Sequence, residues 1–121
     1  MNHAQQLAER YVAAWNEPDA ARRRAAITRL WTADGQHYVD TRQAIGYAAL
    51  EQRIRGSHEK DVVGAGNRFP AVQDARRLRD AVIFHWQMLP ANSETVLATG
   101  LEVLIVYDEG RILVDYQFVV S

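Results

Sequence analysis

The sequence predicts an α+β fold, in which helices come first along the chain and an antiparallel sheet follows. Apolar residues recur at helical spacing in the first half, whereas three long runs rich in strand-forming residues fill the second half. Of the 121 residues, 48% are hydrophobic and 24% are charged, which is typical of a globular protein. We therefore expect a single domain that spans residues 1–121.

Three segments of the first half have helical periodicity. Ala4 to Trp15 carries one apolar stripe that includes Tyr11, and Pro18 interrupts the pattern after it. A second helix is predicted from Asp19, whose side chain can cap it, to about Trp31. A third helix is predicted from Ile45 to about Ile54, before a glycine and a serine that mark its end.

The remaining segments are predicted to form strands. Gln36 to Asp40 is short and rich in strand formers, which places Asp40 at a strand end. Between Asp61 and Phe69, valines favour a strand but glycines weaken it, so a short or bulged strand is expected. Three long runs are joined by short turn sequences, which indicate antiparallel neighbours: Leu78–Leu89, Thr95–Tyr107 and Arg111–Val120.

Both faces of the strand Thr95–Tyr107 are mostly apolar. An antiparallel sheet usually exposes one polar face to water, so helices should cover one face and something else the other. The simplest cover is a second copy of the chain, in a homodimer formed through the sheet face. Glu102 is the exception on its face, and a carboxyl group there needs a raised pKa or a dedicated partner.

Charge and composition argue against several partners and compartments. The formal net charge is −1, and basic residues do not alternate with aromatic ones along any strand, so no nucleic acid is expected. No window approaches the about 20 apolar residues of a membrane helix, and the N-terminal residues do not resemble an export signal, so no membrane is expected. The absence of cysteine fits a reducing compartment, and we expect a cytoplasmic protein.

No metal ion or organic cofactor is expected. The four histidines, His3, His37, His58 and His85, lack the spacing typical of metal ligands, and no glycine-rich phosphate loop is present. We expect His37 and His58 at the surface. His85 alternates out of phase with the aromatic residues of its strand and could line either face; on the inner face it would be an alternative base.

Three side chains that exchange or donate protons, Tyr11, Asp40 and Glu102, lie in segments that otherwise form apolar packing faces. If all three face the interior, they should line a cavity, because a buried carboxylate without a partner is costly. In the alternative interpretation, Asp40 only ends a strand, Glu102 faces water and Tyr11 fills space. A further set could contact a flat apolar ligand or simply fill the core: Trp15, Trp31, Tyr38, Phe69, Phe84, His85, Trp86 and Gly100.

Several short motifs resemble the nuclear transport factor 2-like superfamily, and the SnoaL-like branch most closely. These motifs are RYVAAWN at residues 10–16, Asp19, Leu30-Trp31, Val39-Asp40, Gly46 and the late stretch GLEVLIVYDEGRI. The resemblance implies a cone, in which a curved, mostly antiparallel sheet wraps around three helices. It also implies a pocket at the open end and dimerisation through the sheet.

The stretch RYVAAWN is especially similar to ketosteroid isomerases. That resemblance implies Tyr11 as the oxyanion tyrosine, Asp40 as the general base and Glu102 as the second, protonated oxyanion acid. We therefore expect a small-molecule pocket protein, with cofactor-independent acid-base chemistry on a hydrophobic carbonyl or epoxide compound if it is an enzyme. Isomerase, cyclase and hydrolase chemistry all remain open, and the alternative is a noncatalytic ligand-binding or protein-interaction domain.

Overall fold

The computed structural model describes residues 2–121, except for the side chain of Asp108. Within this range three α-helices are followed by most of a seven-stranded sheet. A π-helical segment extends the third helix, and a short 3-10 turn precedes the last strand. The elements in chain order are α1 His3–Asn16, α2 Ala20–Leu30, β1 Trp31–Val39, β2 Arg42–Ile45, α3 Tyr47–Ser57, the π-helical segment His58–Gly64, β3 Asn67–Arg68, β4 Arg76–Leu78, β5 Ala81–Pro90, β6 Ala98–Val106, the 3-10 turn Asp108–Gly110 and β7 Ile112–Val119.

The sheet has the strand order β2-β1-β7-β6-β5-β3, and β4 pairs with β5 outside this path. All pairs are antiparallel except that of β1 with β7, which is parallel. The sheet is therefore mixed, and it curls strongly into a half-barrel around the helices. This α+β cone confirms the predicted fold class.

The helix ends follow from capping and turn chemistry. Asn2 caps α1 by accepting a hydrogen bond from the backbone N–H of Gln5, and Asp19 caps α2 as predicted. The third helix begins later than expected because the segment that includes Ile45 pairs with β1 as strand β2. Gly46, at φ 87°, makes the turn between β2 and α3. No helix of residues 2–121 is long and apolar enough to cross a membrane.

The prediction of a strand between Asp61 and Phe69 is wrong over most of that segment. The chain stays helical beyond Ser57, and the backbone N–H of Ala65 donates to the carbonyl of Lys60 at 3.1 Å, which is the π-helical spacing. Val62 packs against the core from this segment, so tertiary packing outweighs its preference for a strand. Only β3 remains extended, at the end of the segment.

The inner face of β6 is buried and includes Glu102, so of the two interpretations left open by the sequence, the one with Glu102 inside is correct. The outer face of the sheet carries exposed apolar side chains from three neighbouring strands. Val103 pairs with both Ile83 and Tyr116, and Phe118 lies opposite Leu101 on the same face. This is the surface on which a second copy was expected, and the homodimer stays a prediction.

A bulge in β7 decides which of its side chains face inward. Val106 pairs with Ile112 and Ile105 pairs with Val114, so Leu113 is an extra residue on the β7 side. Strict alternation from Ile112 would turn Asp115 outward. The bulge instead buries both Ile112 and Asp115 completely.

Candidate functional site

Four polar side chains meet inside the cone, and each is at most 2% exposed. Tyr11 comes from the apolar face of α1, His37 from β1, Glu102 from β6 and Asp115 from β7. The Tyr11 hydroxyl lies 2.5 Å from Asp115 Oδ2 and 3.1 Å from Glu102 Oε2. His37 Nδ1 lies 2.8 Å from the same Asp115 oxygen. We call these four residues the buried cluster.

The distances suggest where the protons of the buried cluster reside. Tyr11 has one hydroxyl proton, and the shorter contact indicates that it donates this proton to Asp115. Glu102 can then complete the second contact only by donating its own proton to the Tyr11 oxygen. The other oxygen of Glu102 accepts from the Trp86 indole N–H at 2.7 Å. A protonated Glu102 therefore satisfies every hydrogen bond seen at its side chain.

The electrostatics of the site favour the same proton arrangement. Burial raises the pKa of Glu102 well above its usual value, and repulsion by the Asp115 carboxylate raises it further. The hydrogen bond that Trp86 donates to Glu102 lowers this pKa but does not outweigh burial. Burial, followed by the nearby Asp115 and Glu102 charges, also raises the pKa of Tyr11 well above its usual value. Both shifts favour the neutral forms of these two groups.

The buried cluster also has the spacing of a cation site. Each of His37, Glu102 and Asp115 offers one atom that could bind a metal ion, and these three atoms lie within 4.8 Å of one another. However, the Tyr11 hydroxyl contacts both carboxyl groups, and His37 Nδ1 can donate to Asp115. These hydrogen bonds account for the close approach of the side chains, while His37 Nε2 and Asp115 Oδ1 are buried without a hydrogen-bond partner among residues 2–121.

A cavity of about 530 Å³ lies beside the buried cluster. Tyr11 is the cluster member found on the cavity wall, and Trp86, which donates to Glu102, is on the wall as well. The two carboxyl groups themselves lie behind these rings, away from the lining. The remaining lining residues are Val12, Trp15, Arg42, Gln52, Arg53, Gly56, Ser57, Lys60, Asp61, Phe69, Met88, Ala98, Gln117 and Val119.

The structure brings together two of the three predicted proton-exchanging residues. Tyr11 and Glu102 are in contact, whereas Asp40 is exposed in the turn between β1 and β2. The expectation that Asp40 faces the interior is wrong, because β1 already ends at Val39, which takes the inward position. Asp40 adopts φ 53°, a left-handed turn conformation that aspartate tolerates. Its expected role as a base therefore has no support from its position.

The predicted ligand-contacting residues divide into two groups. Trp15, Phe69 and Trp86 line the cavity. Trp31 and Phe84 are 1% exposed and fill the core instead. The other three predicted residues, Tyr38, His85 and Gly100, are not among the residues that line the cavity.

Tyr38 and His85 lie away from the cavity. Tyr38 stacks on Tyr116, with ring centroids 5.7 Å apart, and Tyr116 is on the outer face of the sheet. His85 alternates with the buried Phe84, and its Nδ1 lies 2.6 Å from Asp74. His85 therefore lies on the outer face of β5, where it cannot act as a base in the cavity.

Gly100 shapes the site without lining it. It lies directly opposite Trp86 in the β5–β6 pair, and a Cβ atom at this position would overlap the indole ring. The absent side chain lets Trp86 lie across β6 and reach Glu102.

Sequence reasoning missed two members of the buried cluster. His37 was expected at the surface but is 1% exposed, because β1 turns it inward opposite Asp115. Asp115 was not singled out, since only the bulge in β7 brings it inside. A lone carboxylate in an otherwise apolar strand was the available signal. His58, also expected at the surface, is buried because the helical path continues through it.

The chain shares its fold with several solved structures, although no protein-family model and no curated protein matches its sequence significantly. A SnoaL-like protein from Agrobacterium tumefaciens, described as a candidate isomerase, is 25% identical, with a TM-score of 0.90 and 100% of both chains covered. A candidate polyketide cyclase from Sinorhizobium meliloti is 11% identical, with a TM-score of 0.72 over 98% of this chain and 95% of that one. A SnoaL-like protein of unknown function from Burkholderia thailandensis is 14% identical, with a TM-score of 0.72 over 100% and 99%.

These structures confirm the predicted resemblance to the SnoaL-like branch of the nuclear transport factor 2-like superfamily. At these identities the second and third likenesses concern the fold alone. A shared fold of this kind supports many chemistries, so function has to be argued from the site.

Proposed function

We propose that this protein binds a small, largely hydrophobic carbonyl compound in the cavity and transfers protons to and from it without a cofactor. The observation that carries the proposal is the position of Tyr11. Its side chain lines the cavity, while its hydroxyl contacts Glu102 and Asp115 behind the wall. Tyr11 thereby connects a ligand in the cavity to a buried proton source.

The chemistry that fits this arrangement is enolisation. As negative charge develops on a carbonyl oxygen of the ligand, the Tyr11 hydroxyl would donate to that oxygen. The Tyr11 proton would pass to that oxygen to give the enol, the proton held by Glu102 would replace it on the Tyr11 oxygen, and Glu102 would carry the negative charge. Because burial raises the pKa of Glu102, its carboxyl group can hold a proton that an ordinary glutamate would have released.

The base must also be on the cavity wall, and Asp61 is the carboxylate there. It lies on the π-helical segment, half-buried, with the Ser57 hydroxyl 3.4 Å from its Oδ2. In the proposed step, Asp61 accepts the proton from the carbon next to the carbonyl and returns it to another carbon of the enol. Asp61 thus acts as the general base in this proposal. The resemblance had implied this role for Asp40, which lies outside the cavity.

Noncatalytic binding is the second candidate, and one observation favours it. The Tyr11 hydroxyl is already engaged by two carboxyl groups, at 2.5 and 3.1 Å. To donate to a ligand, it must give up its contact with Asp115. If that exchange is too costly, the cavity binds its ligand through the aromatic wall alone.

Deuterium exchange separates the two candidates. Cyclic enones and aryl ketones are incubated with the protein in deuterated water, and NMR follows exchange at the carbons beside the carbonyl. We expect exchange above the buffer rate, and a loss of about 100-fold in Tyr11→Phe and in Asp61→Asn. Tyr107→Phe and Glu59→Gln are the matched controls, because both positions are exposed.

Binding is followed in the same samples by the fluorescence of the cavity tryptophans. Binding without exchange would establish the noncatalytic alternative. If the compounds neither bind nor exchange, the proposed function is wrong.

A further inference from the structure

We propose that the cavity selects an organic carboxylic acid, whose carboxylate is held by Arg42, Arg53 and Lys60 while its apolar body lies against the aromatic wall. This inference rests on the proposed function, because it takes the cavity to be the ligand site. It goes further by naming the charge and chemical class of the ligand. The sequence alone had led us to expect only a hydrophobic molecule.

The charges on the cavity wall are unbalanced. Three lining side chains are cationic, Arg42, Arg53 and Lys60, and Asp61 is the one acidic side chain among the lining residues that the structure describes. The whole chain, in contrast, has a net charge of −1. The excess of positive charge is therefore a property of the cavity. A concave wall of one sign concentrates ligands of the opposite sign.

Arg53 is the most informative of the three cations. It is half-buried on α3, and its guanidinium carbon lies 5.0 Å from the centroid of the Trp15 ring. Its Nε atom is buried without a hydrogen-bond partner among residues 2–121. A buried guanidinium usually has its N–H groups satisfied by an anion or a carbonyl. Arg53 is also one of the residues that line the cavity, so its guanidinium is next to the space that a ligand would occupy.

The charges around Arg53 also favour an anion beside its guanidinium. Burial lowers the pKa of Arg53, and repulsion from Arg42 lowers it further. Tyr11, Glu102 and Asp61 act in the opposite direction but leave the pKa lowered. No carboxylate of the described residues lies within ion-pair distance of Arg53. A ligand carboxylate between the two guanidinium groups would relieve their mutual repulsion.

The rest of the wall suits an apolar body. One part of the wall is an aromatic surface formed by Trp15, Phe69 and Trp86. The guanidinium of Arg53 lies over the indole ring of Trp15. A cavity of about 530 Å³ is in the usual range for small-molecule sites.

The test compares two probes of nearly equal shape, 2-naphthoate and the neutral 2-naphthamide, by isothermal titration calorimetry. We expect 2-naphthoate to bind at least tenfold more tightly, and added salt to reduce the difference. Arg53→Gln should reduce the affinity for 2-naphthoate at least tenfold more than it reduces the affinity for 2-naphthamide. Arg55→Gln is the matched control: it is on the same helix, its side chain is 49% exposed, and it lies 4.0 Å from Glu51 and from Glu59.

The possible results separate this inference from the proposed function. Equal affinity for both probes would overturn the selection of an acid and leave the cavity as a ligand site. Binding of neither probe would overturn both. Tighter binding of 2-naphthyl phosphate than of 2-naphthoate would overturn the choice of a carboxylate. If Arg53→Gln does not fold, the preference of the wild-type protein and its loss in Lys60→Gln decide the question.

Discussion

Replacing Gly100 with alanine should lower the free energy of unfolding by about 3 kcal/mol or more. The new Cβ would overlap the indole ring of Trp86, and the backbone of the central strand β6 cannot move aside easily. The ring would have to leave its position, which breaks the hydrogen bond from its N–H to Glu102. The cost therefore combines overpacking with an unsatisfied buried polar group.

Urea denaturation followed by circular dichroism measures this effect. Gly56→Ala is the matched control, because its added Cβ meets no atom within 4 Å and lies in helical backbone; it should be neutral or slightly stabilising. If the overlap with Trp86 is the cause, Gly100→Ala should cost much less in a Trp86→Leu background. Similar losses for Gly100→Ala in both backgrounds would show that the ring is not responsible.

Glu102→Gln should stabilise the protein, and increasingly so as the pH rises. In the unfolded chain, Glu102 ionises near its usual pKa of about 4.3, whereas burial raises its pKa in the folded protein. Between these two pKa values the folded state binds more protons, so the wild-type protein loses up to about 1.4 kcal/mol of stability per pH unit as the pH rises. The glutamine variant has no ionisable group at position 102, so it does not lose this part of its stability as the pH rises.

The glutamine variant also keeps the hydrogen bonds of the site. Its amide oxygen can accept from Trp86, and its amide N–H can donate to the Tyr11 oxygen, as the protonated acid does. Denaturation across a range of pH values, compared with the exposed control Glu59→Gln, measures the effect. The difference between Glu102→Gln and the wild-type protein should be small below the unfolded pKa and should grow above it. A difference that does not vary with pH would contradict a raised pKa.

Periodicity was sufficient to predict most of the fold. The apolar stripe of α1, the aspartate that caps α2 and the three long strands were all readable, because each depends on contacts within one segment or between chain neighbours. The alternation of β6 separated the face that carries Glu102 from the other face, but both faces are mostly apolar, so which of them points inward was visible only in the structure. The segment after Ser57 was not predicted, because the helical path there depends on packing against the rest of the fold.

The candidate site was predicted only in part. Tyr11 and Glu102 were found because a polar group on an apolar face is visible in the sequence. The inward position of Asp115 depends on a bulge that inverts the alternation of β7. Such a bulge leaves no clear mark in a single sequence. Asp40 was misplaced by one position at a strand end, where inside and outside alternate with every residue. Arg53 is recognised as a site residue only once the cavity wall is known.

The proton on Glu102 links these observations. It explains the contact between Glu102 and Tyr11, it lets two carboxyl groups approach one hydroxyl, and it supplies the acid in the proposed chemistry. Infrared difference spectroscopy of the wild-type protein against Glu102→Gln observes this proton directly. At neutral pH we predict the carbonyl band of a protonated carboxyl group in the wild-type protein, which is lost in the variant. If the difference spectrum contains only the bands of an ionised carboxylate, Glu102 carries no proton and the proposed relay through Tyr11 is wrong.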